Sequence, residues 1–121
     1  MSLLSELKTI IESLGVPVET GIFSDTPPDR YAVLTPLSDT YELFSDNRPE
    51  QDIEEVRISL FDKGNYLEVK KQIEALILSA CITITDRRYI GYETDTLYHH
   101  YAIDLAKHYE LEEKIYGTNR T

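Results

Sequence analysis

The apolar residues of this chain change their spacing along its length, and this change is the feature that most restricts the fold. Over residues 3–14 they recur every three or four positions, which is the stripe of an amphipathic helix. The same spacing returns over residues 66–80. Between and after these two segments, apolar and polar residues alternate as they do in β-strands. The order of helix, strands, helix and strands predicts an α+β domain, a mainly antiparallel β-sheet with two helices packed on one face.

Both predicted helices carry signals at their ends. Ser2 is a suitable N-cap for the first helix, and Gly15 followed by Pro17 ends it. Asn65, with Glu68 three residues later, has the spacing of an N-cap and its reciprocal acid at the start of the second helix. The polar residues of the second helix are expected to face water: Lys70, Lys71, Gln72 and Glu74.

The predicted strands range from the short strand of residues 31–35 to the long, half-buried strand of residues 97–106. They cover residues 16–23, 31–35, 53–61, 81–85, 89–93 and 97–106. Pro36 is expected to end the second of them, and Asp86 with the two arginines after it interrupts the apolar pattern between the fourth and the fifth. Residues 94–96 are expected to form the turn of a final hairpin. A single domain over residues 1–113 accounts for these elements, and residues 114–121 are expected to fray.

The chain is strongly acidic, and its charge disfavours two classes of partner. It has 22 Asp and Glu against 12 Lys and Arg, for a formal net charge of −10. Nucleic-acid binding depends mostly on phosphate neutralisation by Lys and Arg, and anionic membrane surfaces attract the same residues. Free binding to nucleic acid or to a membrane is therefore not expected. The opening residues carry no basic segment and no apolar run is long enough to cross a bilayer, so neither a signal peptide nor a membrane span is expected.

The acidic excess is concentrated in residues 38–55. This segment holds seven carboxylates and one arginine, Arg48, and so contributes −6 of the net charge. Tyr41 and Phe44 predict one weak strand within it, and residues 46–49 predict a turn at its tip. Two interpretations stay open: a solvated hairpin or mobile loop without a partner, or a contact surface.

The sequence contains no motif for catalysis or metal binding. Its five glycines are isolated, and neither HExxH nor GxSxG occurs. Cys81 is the one cysteine, and it follows a helix C-terminus rather than an N-terminus, so a buried apolar role is expected for it. His99 and His100 are neighbours on a strand and face opposite sides, so they cannot share a metal ion, and His99 is expected to be hydrogen-bonded. No enzyme activity, cofactor or metal is expected.

The remaining features are typical of a protein that associates with other proteins. Nine tyrosines stand against three phenylalanines, although tyrosine is common in strands as well as in interfaces. The acidic segment of one copy can meet Arg87 and Arg88, or Lys70 and Lys71, of the next, a head-to-tail contact that closes into a ring when the rotation allows. Ordinary solvated charges are the alternative. The candidate interface residues are Asp39, Glu42, Phe44, Asp46, Arg48, Glu50, Asp52, Arg87, Arg88 and Tyr98.

The order of these elements resembles the small tail-completion, tail-terminator and head–tail joining proteins of long-tailed bacteriophages and prophages. The resemblance covers about residues 3–112. It is carried by a series of markers: the LLSELKTIIESLGVPV helix, the FSDTPPDRYAVL turn and strand, the SDTYELFSDNRPEQ excursion, the VRISLFDKGNY strand and turn, the helix through KKQIEALI, and the ITDRRYIGYETDTLYHHYAIDLAKHYE hairpin.

The resemblance implies a structural subunit that assembles as a ring, by family analogy a hexamer, at the head-proximal end of the tail. Its implied partners are further copies of the chain, the tail tube protein and the head connector or stopper protein. DNA would pass through the lumen without specific binding, and acidic walls would let it slide. Assembly would take place in the bacterial host cytoplasm, and the product would lie in the virion tail. The family's long loop corresponds to residues 38–52, which are expected to be mobile until neighbours order them.

Two other interpretations of the sequence stay open. The first is an acidic adaptor or DNA-mimic inhibitor that binds a basic protein. In that case the carboxylates would be spread across one face with phosphate-like spacing. The second is a small-ligand enzyme, which would need a polar cleft with His99 or Tyr101 at its base.

Overall fold

A computed structural model describes residues 2–23, 26–45 and 48–110. The described elements are two helices and five strands. The helices are α1 (Leu3–Ser13) and α2 (Tyr66–Ser79), and the strands are β1 (Val18–Thr20), β2 (Arg30–Ser45), β3 (Arg48–Asp62), β4 (Thr83–Tyr92) and β5 (His99–Glu110).

The five strands form one sheet in the order β1-β2-β3-β5-β4. The β2–β3, β3–β5 and β5–β4 pairs are antiparallel, and the short β1 pairs with β2 in parallel. This arrangement confirms the predicted α+β class and its mainly antiparallel sheet. It also places β1 and β4 at opposite edges of the sheet.

Both helices lie on the same face of the sheet, as predicted. The register aligns Leu34, Ile58 and Ile103 in one row across β2, β3 and β5, and all three side chains are fully buried. The apolar stripes of α1 and α2 close this layer, and Ile11 and Ile73 belong to the same buried cluster. The buried face follows from the alternation along β3 and along β5, because successive side chains of a strand point to opposite sides. In β5, Ala102 on the other face is buried as well.

The predicted starts of both helices are confirmed. Ser2 caps α1 in a reciprocal pair with Ser5, since each side chain bonds the backbone of the other residue. The Asn65 side chain accepts a hydrogen bond from the Glu68 N–H at the start of α2. In addition, the N–H of Leu3 donates to the Glu54 carboxylate at 2.9 Å, so a residue of β3 also caps α1.

The prediction that Pro36 ends a strand is wrong. A bulge between Pro36 and Ser38 shifts the register, and β2 then continues to Ser45 in a ladder with β3. The structure tolerates the proline because β1 covers only residues 32–34, which leaves Pro36 on an open edge where a missing N–H breaks no second ladder. Described residues 38–45 and 48–52 therefore form strands instead of the expected long loop.

The interruption predicted at Asp86 is also wrong. The strand β4 runs through both arginines, and bulges at the positions between Ile84 and Asp86 and between Tyr89 and Gly91 absorb the irregular pattern. Glu74 does not face water but is buried against Arg87, which bonds its carboxylate at 3.1 Å. Long-range pairing explains both differences, because a local pattern cannot show which residue of another element lies opposite.

Cys81 does not have the buried role predicted for it. The residue is exposed and has a φ of 60°, in the turn that follows α2. Its neighbour Ile82 is buried instead. The chain leaves the helix through a left-handed residue, which is a common way to end a helix although glycine is preferred at such a position.

Candidate interaction surface

Among the described residues, the strands β2 and β3 extend past the rest of the sheet as an acidic hairpin. The pairing of β3 with β5 begins at Gln51, opposite Glu110. Farther out, Phe44 and Ser45 of β2 pair with Pro49 and Arg48 of β3, and these residues pair with no other described strand. We call residues 38–45 and 48–55 the hairpin arm. Its extended form follows from the β2–β3 ladder, which continues outward from the buried core as far as Ser45 and Arg48.

Carboxylates meet at the base of the hairpin arm on the face that carries the helices. Asp39 lies directly opposite Glu54 in the β2–β3 register, and Asp52 lies opposite Tyr41. Like charges opposite one another destabilise a sheet by a few tenths of a kcal/mol up to about 1 kcal/mol. The hydrogen bond from Leu3 N–H to Glu54 partly offsets this cost, because the N-terminus of a helix favours negative charge.

These acids line a groove of about 520 Å³ between α1 and the hairpin arm. The residues of the groove wall are Ser2, Leu4, Pro36, Asp39, Tyr41, Asp52, Glu54, Glu55 and Val56. Three carboxylates, those of Asp39, Asp52 and Glu54, share this face of the arm, and no basic residue belongs to that wall. The described wall of the groove is therefore negatively charged. Its charge would suit the basic side chains of another molecule.

A second network ties α1 to β5 beside this groove. Glu6 accepts hydrogen bonds from the Lys107 ammonium, at 2.8 Å, and from the Tyr109 hydroxyl. Burial alone would raise the pKa of the Glu6 carboxyl, but these two bonds outweigh it and hold the pKa below its usual value. Burial and the bond to Glu6 raise the pKa of the Tyr109 hydroxyl above its usual range. Glu6 therefore stays ionised near neutral pH and fixes the helix to the sheet.

Arg48 lies on β3, whereas the other two basic residues of the predicted interface, Arg87 and Arg88, lie on the edge strand β4. Arg87 bonds Glu74 at 3.1 Å and Arg88 lies 3.4 Å from Asp86, yet the two arginine side chains remain 51% and 54% exposed. They project from opposite faces of the sheet, because they pair with successive residues of β5. The large side chains of Tyr89 and Ile90 beside them are also about half exposed.

The structure thus distributes the predicted interface residues over three places. Asp39 and Asp52 lie together at the base of the hairpin arm, and Glu42, Phe44, Arg48 and Glu50 continue along it. Arg87 and Arg88 lie on β4, three strands away from β2. Asp46 falls outside the described residues. Within one chain, Arg87 and Arg88 therefore do not form a single site with the acidic residues of the arm.

Tyr98, the tenth predicted interface residue, is buried. Its hydroxyl donates to the Pro28 carbonyl at 2.6 Å, and its ring meets those of Tyr31 and Phe61 edge-on. Lys63 lies over the ring, 4.9 Å from its centre. Tyr98 thus holds the loop before β2 against the sheet, and its place in an intermolecular contact stays a prediction.

The helix-free face of the sheet carries an aromatic cluster and one strong ion pair. His100 stacks on Phe61 with ring centres 4.3 Å apart, and burial lowers the pKa of its imidazole. Arg57 and Asp104 form a bidentate pair at 2.7 and 3.0 Å, and these bonds raise the pKa of the guanidinium.

The predicted hydrogen bond of His99 is confirmed, since its Nδ1 lies 2.9 Å from the Tyr89 hydroxyl.

Sequence reasoning missed the roles of Glu54, Glu6 and Lys107. A signal for Glu54 was present, because it shares a face with Val56 and Ile58, and an acid on a buried face needs a partner. Nothing in the sequence named that partner as the start of α1. In the described ranges, no cluster of three or more His, Cys, Asp or Glu side chains could hold a metal ion. No helix in those ranges is long and apolar enough to cross a membrane.

Comparison with known proteins gives a structural likeness alone. No family model matches the sequence, and no curated protein sequence does. One solved structure, whose name states no function, is similar over 88% of this chain and 85% of its own, with 16% sequence identity and a TM-score of 0.50. At this identity the likeness concerns the fold, and a fold by itself does not imply a function.

Proposed function

We propose that this chain is a structural subunit of a bacteriophage or prophage tail, with no enzymatic activity. In this role, copies form a ring at the head-proximal end of the tail, end the growing tube and join it to the head connector. The resemblance in the order of sequence elements suggests this role. The α+β fold is compatible with it.

The hairpin arm is the observation that carries the proposal. Among the described residues, the outer part of the arm pairs with no third strand, and an isolated two-stranded hairpin is at best marginally stable in water. A neighbouring molecule would supply the missing support. A subunit of a ring has such a neighbour on each side, and a tube end offers a further surface.

The charge of the arm suits a passage for DNA. Residues 38–55 have a net charge of −6, and acidic walls repel phosphate instead of holding it. The proposal therefore places part of the arm toward the lumen of the ring. DNA would cross without a specific contact.

The distribution of carboxylates is less favourable to a DNA mimic. Glu54, Asp62 and Glu74 are buried and accept bonds from groups of the same chain. Asp104 likewise accepts a hydrogen bond from Arg57 of the same chain. Such acids brace the fold and do not form a regular phosphate-like array on one surface. An acidic adaptor for a basic protein remains the outcome to consider if the tail role fails.

The proposal is tested by deleting the gene from a phage or prophage that carries it and imaging induced lysates by electron microscopy. We expect filled heads beside unjoined or overlong tails, and restoration of whole virions when the gene is supplied in trans. Normal infectious virions from the deletion strain would contradict the tail role. A matched control supplies the gene with an early stop codon, which should fail to restore assembly.

A further inference from the structure

We infer that copies of this chain associate by strand addition, with β4 of one copy pairing along the outer edge of β2 of the next. The result is a continuous sheet that passes from subunit to subunit. This inference rests on the self-association in the proposed function, but not on the location of the ring in a virion. It names the two surfaces that meet and the geometry of their contact.

Two strand edges are available for such pairing. The strand β1 covers residues 32–34 of β2, and residues 36–45 have no other described neighbour on that side. At the other edge of the sheet, the ten residues of β4 pair with β5 on one side and with no described strand on the other. Unpaired edges present rows of N–H and C=O groups that can accept another strand.

The strand directions permit antiparallel pairing between copies. The strands β2, β3, β5 and β4 are each antiparallel to the one before, so β4 runs opposite to β2. If two copies lie side by side with their sheets facing the same way, β4 of one is antiparallel to β2 of the next. Antiparallel pairing is slightly more stable than parallel pairing. The contact uses a different edge of each partner, so it can propagate and close into a ring.

Charge favours this head-to-tail contact over contact between like edges. The arm is acidic, whereas the regularly paired stretch between the two bulges of β4, Asp86–Tyr89, contains Arg87 and Arg88. An antiparallel β4–β4 contact centred on that stretch would bring arginines together, and an arm–arm contact would bring carboxylates together. Such like-charge contacts oppose binding, while opposite potentials favour it.

The free stretch of β2 and the edge strand β4 lie at different heights along the strand direction. This offset predicts that the strands are tilted relative to the axis of the ring. Through the register, β4 lies level with residues 30–38 of β2, whereas the free part of β2 is residues 36–45. The neighbour must therefore shift by six or seven residues along the strand, roughly 20 Å at about 3.3 Å per residue. A constant shift of this kind tilts the strands relative to the ring axis, as the stagger does in a closed barrel.

Charge reversal combined with hydrogen exchange tests the inference. Arg88→Glu and Asp39→Lys each place a like charge at the contact, and both side chains are exposed. We expect each to raise the dissociation constant measured by sedimentation roughly tenfold or more. The matched controls Lys71→Glu and Glu12→Lys change exposed helix residues and should leave the constant within about threefold. Arg87 is avoided because it supports the buried Glu74.

Hydrogen exchange by mass spectrometry distinguishes strand addition from side-chain attraction. On association of the intact chain, amides in residues 83–92 and 38–45 should exchange at least tenfold more slowly, because new ladder bonds cover them. Association without this protection would overturn the inference but leave the tail role standing. A chain that stays monomeric up to about 1 mM would also overturn it. Protection with normal virions from the deletion strain would support strand addition and contradict the tail role.

Discussion

Replacement of Glu54 by alanine should test whether a residue of β3 holds the start of α1. The Glu54 carboxylate is buried and accepts a hydrogen bond from the first N–H of the helix at 2.9 Å. A hydrogen bond to a charged group contributes about 1.5–3 kcal/mol. The interaction of the carboxylate with the helix N-terminus adds about 0.3–1 kcal/mol. We therefore expect Glu54→Ala to lower the free energy of unfolding by roughly 2–4 kcal/mol.

Glu54→Gln separates the two contributions. Glutamine keeps an oxygen that can accept the Leu3 N–H bond but removes the charge, and it also removes the repulsion between Glu54 and Asp39. We expect this variant to lose about 1 kcal/mol or less. Glu55→Gln, in the next position of the same strand, is the control and should change stability by under about 0.5 kcal/mol.

Urea denaturation followed by circular dichroism at neutral pH provides the measurement, with an unchanged m-value as a sign that the unfolding mechanism is preserved. A loss below about 0.5 kcal/mol for Glu54→Ala would refute the assignment of Glu54 as a cap. Equal losses for the alanine and glutamine variants would show that the charge alone matters and that the bond to Leu3 contributes little.

Three further perturbations have expected outcomes. Ile103→Ala, at a fully buried site, should cost about 2–5 kcal/mol in urea denaturation, whereas Ile90→Ala, 50% exposed on the adjacent strand, should cost under about 0.5 kcal/mol; equal losses would show that the core is misassigned. Burial lowers the pKa of His100, so the unfolded chain binds protons more readily, and stability should fall as pH drops through about 6.5. In the His100→Gln variant this part of the pH dependence should be absent. If stability depends on pH in the same way in the variant and in the original chain, His100 does not cause the loss. Cys81 should react fully with a thiol reagent in the native protein, and Cys81→Val should be less stable than Cys81→Gly by about 1–2 kcal/mol because of the positive φ.

The elements that could be predicted from the sequence are those set by local pattern. The helices α1 and α2 begin at their predicted caps, because Ser2 and Asn65 act on backbone groups within three residues. The turn at residues 94–96 and the alternation along β5 were also visible in the sequence. The strand lengths were not, since pairing with β3 carries β2 through Pro36, and pairing with β5 carries β4 through Asp86.

For the candidate interaction surface too, some features were visible in the sequence and others depended on the tertiary structure. The sequence by itself determined that residues 38–55 concentrate negative charge and that Arg87 and Arg88 are adjacent, because both features are set by the order of charged residues along the chain. The tertiary structure decided that the described part of this acidic segment lies on β2 and β3 while both arginines lie on the edge strand β4, and that Glu54 and Glu74 are buried. The physical reason is that strand order and register depend on contacts between residues far apart in the chain, whereas helix caps and alternation depend on neighbours.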